Sequence, residues 1–161
     1  MHILRHRNAG KDVFMEIERK YLIDKIPEGL NVAAVHHLEQ AYLCTGPVVR
    51  VRKDNDDYIL TYKSKGLMAR EEYNLPLTKE SYEHLKDKAD GRIITKTRHV
   101  IPIEDNLFIE LDVFEGDLAP LVLAEVEFPT EEMANSFTPP EWFGEDVTFS
   151  SLYHNSTLSH I

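Results

Sequence analysis

One cysteine, Cys44, is all that these 161 residues contain. No disulfide can form within the chain, and a reducing compartment suits such a composition. No apolar run approaches the roughly 18–20 residues of a membrane span, which speaks against a membrane partner. Residues 1–14 include Arg5, Arg7 and Lys11 but lack the apolar stretch and small-residue cleavage site of a secretion signal. The expected location is therefore cytoplasmic. Positive charge is also scarce, since 18 Lys+Arg stand against 28 Asp+Glu for a net charge of −10. That balance excludes a general nucleic-acid binder, whose affinity for the phosphate backbone rests on accumulated cations. Any phosphate chemistry must come from local clusters of Lys and Arg. The eight histidines show no spaced ligand pair, which excludes an ordinary zinc site. Ser64, Ser150 and Ser151 lack the setting of a nucleophile elbow. Cys44 reads as a buried small residue rather than a nucleophile and Trp142, between Pro140 and Gly144, as a loop anchor. There is no repeat, low-complexity tract or linker, so a single domain is expected. A chain this long buries roughly 68–70% of its unfolded surface and needs no metal or disulfide to fold.

What the chain has in abundance is alternation. Residues 14–23, 37–43, 48–53, 58–64, 69–77, 92–101, 107–114 and 121–128 each read as a strand, with a period of two between polar and apolar positions. The run Asp54-Asn55-Asp56-Asp57 predicts a hairpin turn, because Asn and Asp tolerate left-handed backbone. From Thr78 the period lengthens: Tyr82, Leu85 and Ala89 recur at helical spacing until Gly91. A short helix near residues 131–137 and a last one from about Ser150 complete the reading. About eight strands in mostly hairpin order predict a mainly β fold, with some α, that closes into an antiparallel barrel.

The alternation is inverted relative to an ordinary barrel. One face collects Lys20, Arg50, Arg52, Lys63, Lys96 and Arg98 together with Glu16, Glu18, Glu72, Glu110, Asp112, Glu125 and Glu127. On a single strand such a row would usually mark a solvated face. Repeated along strand after strand, it predicts a polar tunnel whose apolar outer surface is covered by helices or by a partner such as a second copy of the chain. Buried charges are costly unless paired or bound, so this interior expects a highly charged ligand. Guanidinium and ammonium groups suit phosphate oxygens, and clustered glutamates offer the hard oxygen donors that Mg²⁺ or Mn²⁺ prefers. Cations and carboxylates in one cavity describe a metal–polyphosphate site.

Glu16-Ile17-Glu18-Arg19-Lys20 resembles the ExExK signature of the CYTH superfamily, the triphosphate tunnel metalloenzymes. Later segments resemble that family's motifs in order: Gln40-Ala41-Tyr42-Leu43, Val49-Arg50-Val51-Arg52, Leu60-Thr61-Tyr62-Lys63-Ser64, Arg70-Glu71-Glu72-Tyr73, Lys96-Thr97-Arg98, Glu110-Leu111-Asp112-Val113-Phe114 and Glu125-Val126-Glu127-Phe128. The region around Tyr153-His154-Asn155 is similar to the end of the short bacterial members, where a terminal helix lies at one tunnel mouth. The likeness covers residues 15–161 and leaves residues 1–14 as a dispensable extension or an upstream start-codon assignment.

The resemblance implies a closed eight-stranded antiparallel tunnel that cleaves a phosphoanhydride with a divalent cation. Carried over by position, Glu16, Glu18, Glu125, Glu127 and Asp112 are expected to hold Mg²⁺ or Mn²⁺. Lys20, Arg50, Arg52, Lys63, Lys96 and Arg98 are expected to cradle phosphate. Glu16, Glu18, Lys20, Lys63 and Glu72 are expected to serve catalysis. Two positions depart from the family pattern: Asn74 stands where many members carry an acid, which weakens a second metal site, and Ser156 where a cation is common. The leading expectation is hydrolysis of tripolyphosphate. Hydrolysis of thiamine triphosphate or a nucleoside triphosphate, adenylate cyclisation, and a polyphosphate-binding module without turnover are its alternatives.

Overall fold

A computed structural model of the protein describes residues 14–161, with side chains from Met15 onward. The segment 1–14, expected to be an extension, lies almost wholly outside the described residues. Eight strands, β1 (Phe14–Leu22), β2 (Ala34–Thr45), β3 (Val48–Asp54), β4 (Asp57–Lys63), β5 (Ala69–Pro76), β6 (Asp90–Pro102), β7 (Phe108–Phe114) and β8 (Val122–Glu127), close into an antiparallel barrel. Around the barrel they run β1-β5-β4-β3-β2-β6-β7-β8, and β8 returns to β1. The pairs β2–β3, β3–β4, β4–β5, β6–β7 and β7–β8 follow chain order; β1–β5, β2–β6 and β1–β8 are the long-range joints. The expected hairpin turn is present, with Asn55 in left-handed backbone at φ 51°. Among the described residues, no helix is long and apolar enough to cross a membrane.

The apolar faces point outward and are covered. Over β1, β7 and β8 the buried Ile17, Tyr21, Ile109, Leu111, Ala124 and Val126 pack beneath Ala134 of α2 (Glu131–Ser136) and beneath Phe137, Trp142 and Phe143. Trp142 anchors its loop edge-on against Phe143, 4.7 Å between ring centroids. Over β2 and β3, Ala41 and Val51 lie under Tyr82 of α1 (Lys79–Lys86). Helix α1 begins where Thr78 predicts: the Thr78 hydroxyl accepts from the Ser81 amide and the Ser81 hydroxyl from the Thr78 amide. Each of these large apolar side chains contributes about 1.5–3 kcal/mol on burial, so the covering helices are what makes an inside-out barrel stable.

Strand β1 is shared between two neighbours, β5 along residues 14–17 and β8 along residues 18–22. Its edge beyond β5 takes the C-terminal tail, through Gly144 N to Leu22 O at 2.8 Å and Val147 N to Lys20 O at 2.9 Å. Arg19, pointing outward from the ExExK segment, fastens that tail by donating to Asp146 Oδ2 at 2.6 Å and to the Ala134 carbonyl at 2.7 Å.

The last helix differs from expectation. Residues 151–153 form a 3-10 turn, His154 is extended, and only Asn155–Leu158 (α3) is α-helical. The Tyr153 carbonyl is turned into the barrel, where it accepts from Lys20 Nζ at 3.2 Å, and so is lost to a continuous helix. Gly91, at φ 69°, lies so close to this tail that a Cβ there would stand 2.3 Å from the Ser159 carbonyl oxygen.

Candidate active site

The inverted alternation holds throughout the barrel. Glu16, Glu18 and Lys20 of β1, Arg50 and Arg52 of β3, Lys63 of β4, Glu72 of β5, Lys96 and Arg98 of β6, Glu110 of β7, and Glu125 and Glu127 of β8 line one cavity. Asp112 of β7 stands immediately behind that lining with no exposed side-chain surface. All thirteen inward residues read from the sequence thus meet in a single chamber or in the wall that backs it.

Their partners divide them into two groups. Lys20 approaches Glu125 at 3.4 Å, and Lys63 lies 2.8 Å from Glu16 and 3.7 Å from Glu72. Asp112 accepts from Lys96 Nζ at 2.6 Å and from both Nε and Nη2 of Arg98 at 2.7 and 2.8 Å. Arg98 further reaches Glu110 and Glu125. Among the described residues, neither Arg50 nor Arg52 has a carboxylate in ion-pair range. Arg50 donates to Thr61 Oγ1 at 3.3 Å, and Arg52 donates twice to Gln40 Oε1, at 3.0 and 2.7 Å. Burial, with Arg50 and Arg98 beside it, pulls the Arg52 guanidinium down to about 9. Lys96 is pulled to about 8, because burial, with Arg98 and Arg52 nearby, outweighs the attraction of Asp112 and Glu125. Asp112 faces two cations, and despite burial its carboxyl is held below the usual range.

The adjoining strands β8, β1 and β5 carry the acidic wall. Carboxylate oxygens of Glu16, Glu72 and Glu127 come within 4.8 Å of one another. Glu18 nearby is raised well above the usual carboxylate range, by burial first and then by the charges of Glu125 and Glu16. Carboxylates brought this close repel one another, and a divalent cation between them would offset that repulsion. The donors are all carboxylate oxygens with no His or Cys among them, the set that suits Mg²⁺ or Mn²⁺. Glu125 and Asp112, expected as ligands, pair in this structure with Lys20, Lys96 and Arg98.

One mouth is stoppered. Tyr42, Val48, Phe114 and Leu123 form an apolar collar that packs against Val147 and Leu158. Residues His154, Asn155 and Ser156 form part of the cavity wall. Asn155 Oδ1 accepts from Lys96 Nζ and from Gln40 Nε2, each at 3.0 Å. The His154 imidazole is pushed down to about 4 by burial and by Lys20, Arg70 and Lys63, so it is neutral at neutral pH.

Further residues of the cavity wall and of the layer behind it escaped the sequence reading. Arg70 lines the cavity and donates to Glu16 Oε1 at 3.3 Å; its alternation with Glu72 was visible and would have included it. Gln40, Tyr42 and Asn155 carry no charge, and only barrel closure and the docked tail bring them to the site.

The CYTH domain family matches the chain over residues 15–161. An inorganic triphosphatase of Nitrosomonas europaea is 42% identical over 147 residues, which span 89% of this chain and 96% of that protein. One from Acetivibrio thermocellus is 33% identical over 89% of this chain and 92% of its own length. A crystal structure of an inorganic triphosphatase superposes with a TM-score of 0.67 at 39% identity, covering 89% of this chain and 93% of the other. The structure of a Hippeastrum protein described as a putative adenylyl cyclase with dominant triphosphatase activity shares the fold at a TM-score of 0.56 and 17% identity, over 74% of this chain and 82% of that one.

Proposed function

With the chain's membership of the CYTH domain family as premise, we propose that it hydrolyses inorganic triphosphate to pyrophosphate and phosphate. The observation that carries this reading is the pair of guanidinium groups facing the chamber, buried Arg50 and half-buried Arg52, which among the described residues have no carboxylate partner, in one cavity with a three-carboxylate cluster. Uncompensated buried cations call for an anion, and a linear polyphosphate supplies one whose charge extends far enough to meet both walls. The named relatives act in the same sense.

Residues 15–161 form the catalytic unit in this reading. Arg50 and Arg52 take phosphoryl oxygens first, since no internal ion pair has to break. Lys20, Lys63, Lys96, Arg98 and Arg70 exchange carboxylate partners for substrate oxygens and surround the charge that builds up on phosphorus. Before substrate arrives, Asp112 and Glu125 hold Lys20, Lys96 and Arg98 in position. Water oxygen bonds to a terminal phosphorus, the bridging P–O bond breaks, and pyrophosphate leaves with the electron pair. Glu16, Glu72 and Glu127, with Glu18 beside them, would hold Mg²⁺ or Mn²⁺. The ion would supply charge neutralisation and Lewis-acid activation. The single cysteine supports a cytoplasmic setting.

Phosphate release measured on tripolyphosphate, thiamine triphosphate and ATP, each with Mg²⁺ or Mn²⁺, tests the reading. The expected result is release from tripolyphosphate far ahead of the other two. Faster release from ATP or thiamine triphosphate would refute the inorganic substrate, and binding without release in all cases would refute the hydrolase.

A further inference from the structure

Gln40 has no exposed surface, yet its amide is fully engaged. Its oxygen accepts both bonds from Arg52, and its nitrogen donates to Asn155 Oδ1 at 3.0 Å and to the Tyr42 hydroxyl at 3.4 Å. The orientation of both amides follows from chemistry. Arg52 and Lys96 can only donate, so each must face an amide oxygen, and the Gln40 nitrogen must then face the Asn155 oxygen. A chain of neutral amides therefore runs from Arg52 on β3 through Gln40 on β2 to Asn155 in the stopper, where Lys96 of β6 joins it. The β2 ladder slips out of register between Gln40 and Tyr42 against β6, and again between Tyr42 and Cys44 against β3. Such bulges re-aim side chains at barrel rims and beside active sites.

We propose that Gln40 is a positioning residue, which aims the Arg52 guanidinium into the chamber while leaving its charge uncompensated for a substrate phosphoryl group. The inference rests on the tripolyphosphate reading above and goes beyond it in assigning the aiming of Arg52. A glutamate at this point would hold the same fork but would also neutralise it, and phosphate would then compete with a buried ion pair. An apolar side chain would leave the fork unaimed, so each binding event would have to order a long flexible cation. Only a neutral acceptor of this length does both, and Asn155 fixes the far end of that acceptor to the docked tail.

The test is the tripolyphosphate dissociation constant, measured by calorimetry without metal, for wild type, Gln40→Glu, Gln40→Leu, Arg52→Gln and the double variant Gln40→Leu/Arg52→Gln. Gln40→Glu is expected to bind roughly tenfold or more weakly, the scale of one charge-assisted contact. Gln40→Leu is expected to weaken binding alone and to add nothing in the Arg52→Gln background, because its effect passes through Arg52. Wild-type affinity in Gln40→Glu, or an undiminished penalty for Gln40→Leu once Arg52 is gone, would overturn the proposal. Should the Leu variant fail to melt cooperatively, the nearly isosteric Glu variant decides. A wild type that binds tripolyphosphate but releases no phosphate would refute the hydrolase reading and leave this inference standing.

Discussion

Asp112→Asn removes one charge from a side chain with no exposed surface and leaves Lys96 and Arg98 without their shared counter-ion. Asp112 accepts three bonds, from Lys96 Nζ, Arg98 Nε and Arg98 Nη2, at 2.6 to 2.8 Å. Asparagine has one accepting oxygen, and its NH₂ must point at a group that can only donate. Breaking a buried ion pair from one side typically costs about 3–5 kcal/mol. At ~2–4 °C per kcal/mol for a domain of this size, the melting temperature should fall by roughly 6–20 °C. Tripolyphosphate brings replacement negative charge to the same cations. Thermal melts followed by circular dichroism, without metal and with rising tripolyphosphate, should therefore show a larger ligand-induced gain in Asp112→Asn than in wild type. Turnover should drop even where the melting temperature recovers, because Lys96 and Arg98 are no longer held in place. A variant that melts within about 2 °C of wild type, or gains no more than wild type from ligand, would show that the cluster is not a dry ion-pair network.

Arg50→Ala should raise KM for tripolyphosphate roughly 10- to 100-fold, the equivalent of about 1.5–3 kcal/mol, and excess Mg²⁺ should not restore it in a phosphate-release assay. Glu18→Gln and Glu127→Gln should each abolish nearly all metal-dependent turnover, and the double variant should be little worse than either, as Mg²⁺ titrations would show; losses that multiply would mean separate roles. His154 takes a proton near 6.5 when unfolded and only near 4 when folded, so across that window the unfolded chain binds more protons and acid destabilises the fold. The contribution is complete above pH 6.5 and lost as pH falls toward 4; urea midpoints should therefore decline less with acid in His154→Leu, and equal declines would exclude this group.

The barrel was legible because charge and strand share a period of two. Glu16-Ile17-Glu18 and Arg50-Val51-Arg52 each announce a strand and say which side faces the chamber. Closure was less so: nothing in residues 14–17 names β5 as their neighbour, since that pairing depends on the twist of the whole sheet. Strand β2 extends beyond residues 37–43 to Ala34, which pairs with Val100 of the thirteen-residue β6, and to Thr45, which pairs with Val48 of β3, and it leaves Cys44 exposed rather than buried as expected. At the site, charged residues betrayed themselves, whereas Gln40 and Tyr42 look like ordinary strand residues until closure sets Arg52 and the tail beside them. The roles of Asp112 and Glu125 depend on distances to cations from other strands, which spacing along the chain does not encode.

The outward register of this barrel has a consequence for how the sequence can drift. Val51, Ala124 and Val126 are wholly buried under the covering layer, and their neighbours Arg50, Arg52, Glu125 and Glu127 serve the chamber. Fitness constraints of two kinds are therefore interleaved residue by residue on the same strand. A saturation mutagenesis map scored separately for abundance and for turnover should show stripes in antiphase, with abundance lost at Val51, Ala124 and Val126 and turnover lost at Arg50, Arg52 and Glu127. Lineages can then exchange chamber residues, and with them the preferred phosphoanhydride, while the scaffold's own half of each strand stays as it is.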